Sequence, residues 1–307
     1  MFVTAKELLA GVALDLVLGD PPWLPHPVRA VGWFARVCED RLRPSGLPLR
    51  LAGVLFWILV TGGFTLTVWI TVRIGHAWCT VYWIYALLAC RDLDVEASRV
   101  IHTLENDDPQ AARKWLAWIV GRDTAHLDEP EIVRATVETV AENLSDGVVA
   151  PLFWLAVGGP VAMAAYKAIN TLDSMVGYRN ERYREFGWAS ARIDDLANFV
   201  PARLTAVLIW IAALLPGLDA RRAFSITLRD GGSQPSPNSG YPEAAVAGAL
   251  GVQLGGVNFY QGRPSVKAAM GDPLRPLECG VFRRVRTLLY ASEALSVAMI
   301  LGCIAWL

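Results

Sequence analysis

LAGVLFWILVTGGFTLTVWITV, Leu51 to Val72, holds 22 residues without a charged side chain and is bracketed by Arg50 and Arg73. As an α-helix it would measure ~33 Å, enough for the ~30 Å hydrocarbon core of a bilayer. Ile74 to Cys90 is apolar again after a single-residue interruption. That spacing predicts a helical hairpin with His76 and Trp78 near its turn. Weaker candidates for spans are Gly147 to Tyr166, Leu204 to Leu218, Ala244 to Gly262 and Ala294 to Leu307. The last is short unless the helix tilts or the bilayer thins. Four or five spans are expected.

The rest of the chain suits that environment. Its 307 residues are 54% apolar, include twelve tryptophans and have a mean hydropathy of +0.36, the profile of a polytopic membrane protein with substantial polar segments. The 28 basic and 29 acidic residues nearly cancel, so there is neither the basic excess of a nucleic-acid binder nor an acidic tail. No nucleic-acid partner is expected; the lipid bilayer is. Cys38, Cys79, Cys90, Cys279 and Cys303 show no CxxC spacing and read as small hydrophobes, not as zinc ligands or a disulfide frame. Leu8 to Leu18 is interrupted by Asp15 and preceded only by Lys6, which is not the pattern of a cleavable signal. Arg29, Arg36, Arg41, Arg43 and Arg50 precede the first long span, and the positive-inside rule puts them in the cytoplasm.

Residues 91–146 then return to the cytoplasmic side. Asp108 before Pro109 predicts a helix N-cap with proline at the first position, followed by the amphipathic run QAARKWLAWIV up to Gly121. A second helix is expected from Asp128–Pro130 through IVRATVETVAENL to a stop near Gly147. No alternating strand pattern of useful length and no internal repeat is visible. The expected fold is mainly α: a polytopic integral membrane helical bundle, one membrane-embedded catalytic domain over residues 1–307, with 91–146 as a cytoplasmic helical segment between spans.

Between Val137 and Arg203 the chain keeps polar groups next to lipid-grade apolar sequence, where a charge at the bilayer centre costs roughly 2.5–3.5 kcal/mol. Glu138, Glu142, Ser145 and Asp146 share one face of a helix. Carboxylates four residues apart repel unless a cation sits between them, and magnesium bridging to phosphate oxygens would fill that place; a solvated face is the competing reading. Lys167, Asn170, Asp173 and Ser174 share another face, with Arg179, Asn180 and Arg182 close behind. A lysine with an amide and a carboxylate suits an anionic substrate and its counter-ion, although an interfacial lysine paired with Asp173 explains Lys167 alone. A third group is Arg192, Asp194, Asp195 and Asn198, with a helix-dipole role equally available.

Two further segments resist an ordinary folding explanation. LDLVLGDPPWLPHPVRAVGW puts Asp15 into an apolar helix and follows Asp20 with four prolines; His26 within it reads as structural. SPNSGYPEAAVAGALGVQLGG presents Ser236, Asn238 and Ser239 at the start of an Ala/Gly-rich helix, a place where backbone N–H groups bind phosphate. Ala247, Gly251 and Gly255 at four-residue spacing favour close helix packing. Gly147 to Tyr166 contains Pro151, Gly158, Gly159 and Pro160. A broken or re-entrant element that lines a cavity is compatible with these, and would let the three polar groups meet on one cytoplasm-facing site.

GDPPWLPHPVRAVGW, RDLDVEA, IVGRDT with LDEPEI, RATVETVAENLSDGVVAPLFW, YKAINTLDSMVGYRNERYREFGWASARIDDLANFVPARLTA and SPNSGYPEAAVAGALGVQLGG together resemble the CobD/CbiB family of adenosylcobinamide-phosphate synthases, nearly end to end and in order. RDGGSQPSPNSG carries Gln234 where many members have histidine. The resemblance implies an integral, multi-pass cell-membrane enzyme that joins adenosylcobyric acid to (R)-1-amino-2-propanol phosphate, or to aminopropanol itself, through an amide bond at a propionate of the corrin. ATP and Mg2+ are implied. On that basis Glu138, Glu142, Asp146, Asp173 and Asp194 are expected at magnesium; Lys167, Asn170, Arg179 and Arg192 at the transferring phosphate. Asn143, Asn198, Ser236, Asn238 and Ser239 are expected at the nucleotide, and Asp15 or Asp20 at the incoming amine. Two rival readings are a non-catalytic AmpE-like membrane sensor, against which the density of polar groups argues, and a metal-dependent prenyl-type transferase, to whose aspartate-rich motif IDDLANF is an imperfect approach.

Overall fold

A computed structural model describes residues 3–178 and 180–306. Along the chain they form α1 (Ala5–Leu18), α2 (Pro27–Leu42), α3 (Leu49–Leu87), α4 (Cys90–Glu105), α5 (Pro109–Ile119), α6 (Glu129–Leu144), α7 (Ala150–Val176) and α8 (Trp188–Ala197). Then come α9 (Phe199–Ala212), α10 (Ala220–Asp230), α11 (Gly240–Leu250), strands β1 (Leu254–Tyr260) and β2 (Arg263–Met270), and α12 (Phe282–Trp306). The fold is mainly α. Three helical stretches, within Leu49–Glu105, Glu129–Val176 and Cys279–Trp306, are long and apolar enough to cross a membrane, and a fourth results if Trp188–Ala197 and Phe199–Ala212 act as one broken span. The chain divides into two compact units: one takes in the residues up to Ala89, Ala150–Phe199 and those from Val297 on, the other Cys90–Val149 and Val200–Ser296.

In the first unit, α1 starts at a reciprocal cap in which Thr4 accepts from the Glu7 N–H and Glu7 accepts from Thr4 N–H at 2.8 Å. The expected hairpin is present inside α3, and its turn is His76, whose φ of 45° and ψ of −126° break the helix. Phe64 and Trp83 would lie ~28 Å apart on a straight helix, yet their rings meet edge to face at 5.6 Å. Trp83 also donates from Nε1 to Thr71 Oγ1 at 2.8 Å across the two arms. The second arm ends at Leu87 and is too short to cross a bilayer by itself. The core of the unit is Val31, Ala35 and Cys38 of α2, Ala52, Phe56 and Val60 of α3, Leu172 and Val176 of α7, and Phe186 from the α7–α8 loop.

The second unit is punctuated as the sequence predicts. Asp108 caps α5 through the Ala111 N–H with Pro109 at the first position, and Asp128 forms a capping box with Glu131 at the start of α6. At its other end α6 does not stop: a π-turn, Ser145–Val149, carries it directly into α7. Ala244–Gly262 is not a span. Gly251 at φ 69° closes the short α11, and the chain enters an antiparallel β1–β2 hairpin with Val257 opposite Val266 and Phe259 opposite Pro264. No apolar face marks the hairpin in the sequence, because in β1 the polar Asn258 is buried between exposed Val257 and Phe259 and β2 is exposed from Arg263 to Val266. α12 begins at Phe282, twelve residues before the expected Ala294, and so has full span length.

Candidate functional site

In the first unit α7 is broken at Gly158 and Gly159, the latter at φ 69°, just before Pro160. Proline removes a helical N–H and clashes with the preceding turn, and the break divides the helix into two arms. Trp154 of one arm donates to the Ala197 carbonyl at 3.2 Å, and Tyr166 of the other donates its hydroxyl to Asn198 Oδ1 at 2.8 Å. These two residues, ~18 Å apart on an unbroken helix, thus grip neighbouring positions at the end of α8.

That grip organises the second and third polar groups into one. Asn198 Oδ1 is taken by Tyr166, so its amide nitrogen faces Asp194 and donates to Oδ2 at 3.1 Å. Asn170 donates to Asp194 Oδ1 at 3.4 Å. Asp194 is buried, and Asp173 adds a second negative charge beside it. Asp173 lies against Gly177, where any β-carbon would overlap its carboxylate. Lys167 and Ser174 share the helix, with Ser174 bonded back to the Asn170 carbonyl at 3.0 Å. Arg179 lies outside the described residues.

Gly177 is also one wall of a cavity of about 590 Å³, which Tyr178, Tyr183, Arg184, Trp188, Arg192, Asp195 and Arg50 complete. Arg50 is held by Glu185 at 2.6 Å and lies 5.7 Å from the Trp188 ring. Arg192 sits 3.9 Å from Asp195. The loop that builds this wall is tied to α2: Glu39, itself buried, accepts from Arg182 at 3.0 Å and Arg43 at 3.5 Å.

The proline-rich segment forms a third locus in the same unit. Asp15 is buried in α1, and the Gly19 carbonyl accepts from the Tyr85 hydroxyl at 2.8 Å. His26 caps α2 by accepting the Val28 N–H at Nδ1. Its proton is therefore on Nε2, which faces Asp20 Oδ1 at 3.2 Å. The expected structural role of His26 is borne out in the cap.

In the second unit Glu138 of α6 is 1% exposed and fully engaged. Arg122 reaches its Oε2 at 2.5 Å, Arg134 its Oε1 at 3.1 Å, and the Gly255 N–H donates to Oε1 at 2.8 Å. Asn258 Oδ1 accepts from Arg122 at 2.6 Å and Arg134 at 3.3 Å, and Arg134 also donates to the Gly255 carbonyl. Glu138 therefore holds two arginines and a strand, with three donors on its two oxygens. Glu142 is half-buried one turn on, Asn143 is exposed and bonds the Thr139 carbonyl at 3.0 Å, and Asp146 is half-buried in the π-turn. Glu243 of α11 is completely buried 3.7 Å from Lys267 of β2, with Glu142 and Glu138 adding negative charge around it. Burial outweighs the Lys267 attraction and pushes the Glu243 carboxyl up to about 8.

The Ser-Pro-Asn-Ser-Gly turn is in this unit too. Ser236 Oγ accepts from the N–H groups of Asn238 and Ser239 at 3.3 and 3.4 Å. Arg203 donates to Asn238 Oδ1 at 3.2 Å and covers the Tyr241 ring at 4.2 Å. Gln234 donates to the Ala268 carbonyl at 2.9 Å, a structural bond to β2. The clusters thus fall into two sets, with Lys167, Asn170, Asp173, Arg192, Asp194 and Asn198 in the first unit and Glu138, Glu142, Asp146, Ser236, Asn238 and Ser239 in the second.

The chain is similar to known proteins over nearly its whole length. The family model described as CobD/Cbib protein matches residues 8–289. The chain belongs to the CobD/CbiB family. Its relatives include the cobalamin biosynthesis protein CobD of Geobacter metallireducens, 52% identical over 300 residues that cover 95% of this chain and 94% of the relative. The cobalamin biosynthesis proteins CobD of Klebsiella pneumoniae and CbiB of Salmonella typhimurium are each 43% identical, over 304 and 299 residues, covering 96% and 94% of this chain and 95% and 94% of those relatives. No solved structure matches.

Within this CobD/CbiB chain, sequence reading missed Arg122, Arg134, Glu243 and Lys267, and the cavity walls Arg50, Tyr178, Tyr183 and Trp188. Only Arg134 carried a local signal, four residues before Glu138 on α6. Magnesium takes one or two carboxylates plus substrate oxygens. The buried, amide-braced Asp194 with Asp173 beside it fits that donor set, and among the described residues no group of three or more His, Cys, Asp or Glu could hold a metal.

Proposed function

We propose that this chain is an adenosylcobinamide-phosphate synthase, a ligase that forms the amide between (R)-1-amino-2-propanol phosphate, or aminopropanol, and a propionate carboxylate of adenosylcobyric acid. ATP is the proposed activating substrate and Mg2+ the proposed metal. The supporting observation is colinear similarity to cobalamin biosynthesis proteins over 94–96% of the chain. A carboxylate and an amine do not condense in water, so the carboxylate first takes the γ-phosphoryl group of ATP and ADP leaves. The amine then attacks the acyl phosphate, the amide forms, and phosphate departs with the bonding pair.

The residues divide these tasks by chemistry. Asp173 and Asp194 are the proposed magnesium ligands, and the ion would neutralise charge on phosphate oxygens. Asn170 and Asn198 hold the Asp194 carboxylate in one orientation, so no reorganisation is needed when phosphate binds. Lys167 and Arg192 are proposed to neutralise the phosphoryl group. Asp20, 3.2 Å from His26 Nε2, or Asp15 is proposed to bind the ammonium and take its proton before attack. In this reading the protein is multi-pass in the cell membrane, with the site facing the cytoplasm, where the arginine-rich segments lie.

The test is direct: protein purified in detergent, supplied with adenosylcobyric acid, aminopropanol phosphate, ATP and magnesium, is expected to yield the amide, identified by mass spectrometry of the corrinoid. Absence of amide with every nucleotide would replace this reading with a non-catalytic sensor.

A further inference from the structure

The cavity of about 590 Å³ beside Gly177 is larger than a small amine phosphate requires and falls in the size range of pockets that enclose a drug-sized ligand. Its walls carry arginines, aromatic rings and the carboxylates of Glu185 and Asp195, which lie against Arg50 and Arg192. Arg50, Arg184 and Arg192 supply guanidinium forks suited to phosphate oxygens. Trp188 and Tyr178 present half-exposed rings, 44% and 55% accessible, on this wall. Aromatic faces stack on nucleobases with ~1–3 kcal/mol per base. Arg184 has no ion-pair partner among the described residues, whereas Arg50 and Arg192 are pre-aimed by Glu185 and Asp195.

We infer that this cavity is a nucleoside-triphosphate site, with the base against Trp188 and Tyr178 and the phosphates toward Arg184 and Arg192. The inference rests on the reading that the chain consumes a nucleotide, and it assigns that nucleotide to the α7–α8 loop and not to the Ser-Pro-Asn-Ser-Gly turn. Gly177 carries the connection to chemistry, because the same residue lines the cavity and lies against the Asp173 carboxylate. The γ-phosphoryl group would then lie at the Gly177 wall of the cavity.

The experiment compares the full-length protein with Arg184→Gln and Trp188→Leu, using ATP with magnesium as the probe. ATP affinity is read by equilibrium binding of radiolabelled nucleotide, and KM is read separately for ATP and for aminopropanol phosphate. Each variant is expected to weaken ATP binding at least about tenfold, with the KM for aminopropanol phosphate within a factor of about two. Arg184→Lys, which keeps the charge and loses the fork, is expected to fall between wild type and Arg184→Gln; it also serves if Trp188→Leu does not accumulate. Unchanged ATP affinity with a raised KM for the amine phosphate would overturn the assignment and give the cavity to the amine. If the variants weaken ATP binding while the wild type makes no amide, the nucleotide site stands and the ligase reading fails. If amide forms and ATP affinity does not move, the ligase stands and the site fails.

Discussion

Gly177 and Asp173 are shaped to each other: one helical turn apart at the end of α7, they leave no room for a β-carbon on the first because the carboxylate of the second already lies there. Gly177→Ala is therefore expected to push Asp173 out of place and to lower turnover at least about tenfold. The same change on an Asp173→Asn background is expected to add little, because residues that share one interaction are not additive. Steady-state turnover of the two single variants and the double variant checks this.

Asp173→Asn and Asp194→Asn keep side-chain shape and remove charge. Each is expected to lower kcat about a hundredfold, which corresponds to ~2.7 kcal/mol of transition-state stabilisation. Glu142→Gln, in the other unit, is expected to do the same if Glu142 also serves the transferring phosphoryl group. Magnesium titrations of all three variants decide which unit carries the metal: a variant restored by excess magnesium has lost a ligand.

Glu138→Gln is expected to act on stability. It leaves Arg122 and Arg134 buried with one fewer charge between them, and breaking a buried ion pair from one side costs ~3–5 kcal/mol. The variant is expected to accumulate poorly and to unfold at lower temperature in detergent, while the folded fraction keeps the magnesium dependence of the wild type. A normal melting temperature with a shifted magnesium requirement would return Glu138 to the metal.

Glu243 gives a pH signature. Its folded-state carboxyl titrates near 8 against about 4.5 for an ordinary glutamate, so the folded chain binds more protons than the unfolded one between those values. Stability from this group is full below about pH 4.5 and is lost as pH rises towards 8. Lys267, Glu142, Glu138 and Arg122 face it. Glu243→Gln cannot ionise and is expected to flatten the fall in melting temperature between pH 5 and pH 8 relative to wild type.

Local grammar made much of the fold readable. The Asp108–Pro109 and Asp128 caps, the return of α3 at His76 and the break at Gly158–Gly159 are each written in a few adjacent residues. The meeting of Asn170, Asp173, Asp194 and Asn198 was readable as two helical faces, but their joint arrangement depends on Tyr166 and Trp154 reaching across from α7. The second unit was not readable, because it joins Cys90–Val149 to Val200–Ser296 across a long intervening stretch. No apolar face marks its β-hairpin, and the arginines around Glu138 find their remaining partner in Asn258, 136 residues from Arg122.

The ion cluster at Glu138 also sets a schedule for synthesis. Arg122 and Arg134 emerge beside it, but the Gly255 N–H that completes its shell is 117 residues downstream. At ~5–20 residues per second, the strand that seals the two guanidinium groups and the carboxylate is made ~6–23 s after Glu138. A chain stopped before Leu254 lacks both the Gly255 N–H and the Asn258 oxygen, and so cannot complete the cluster.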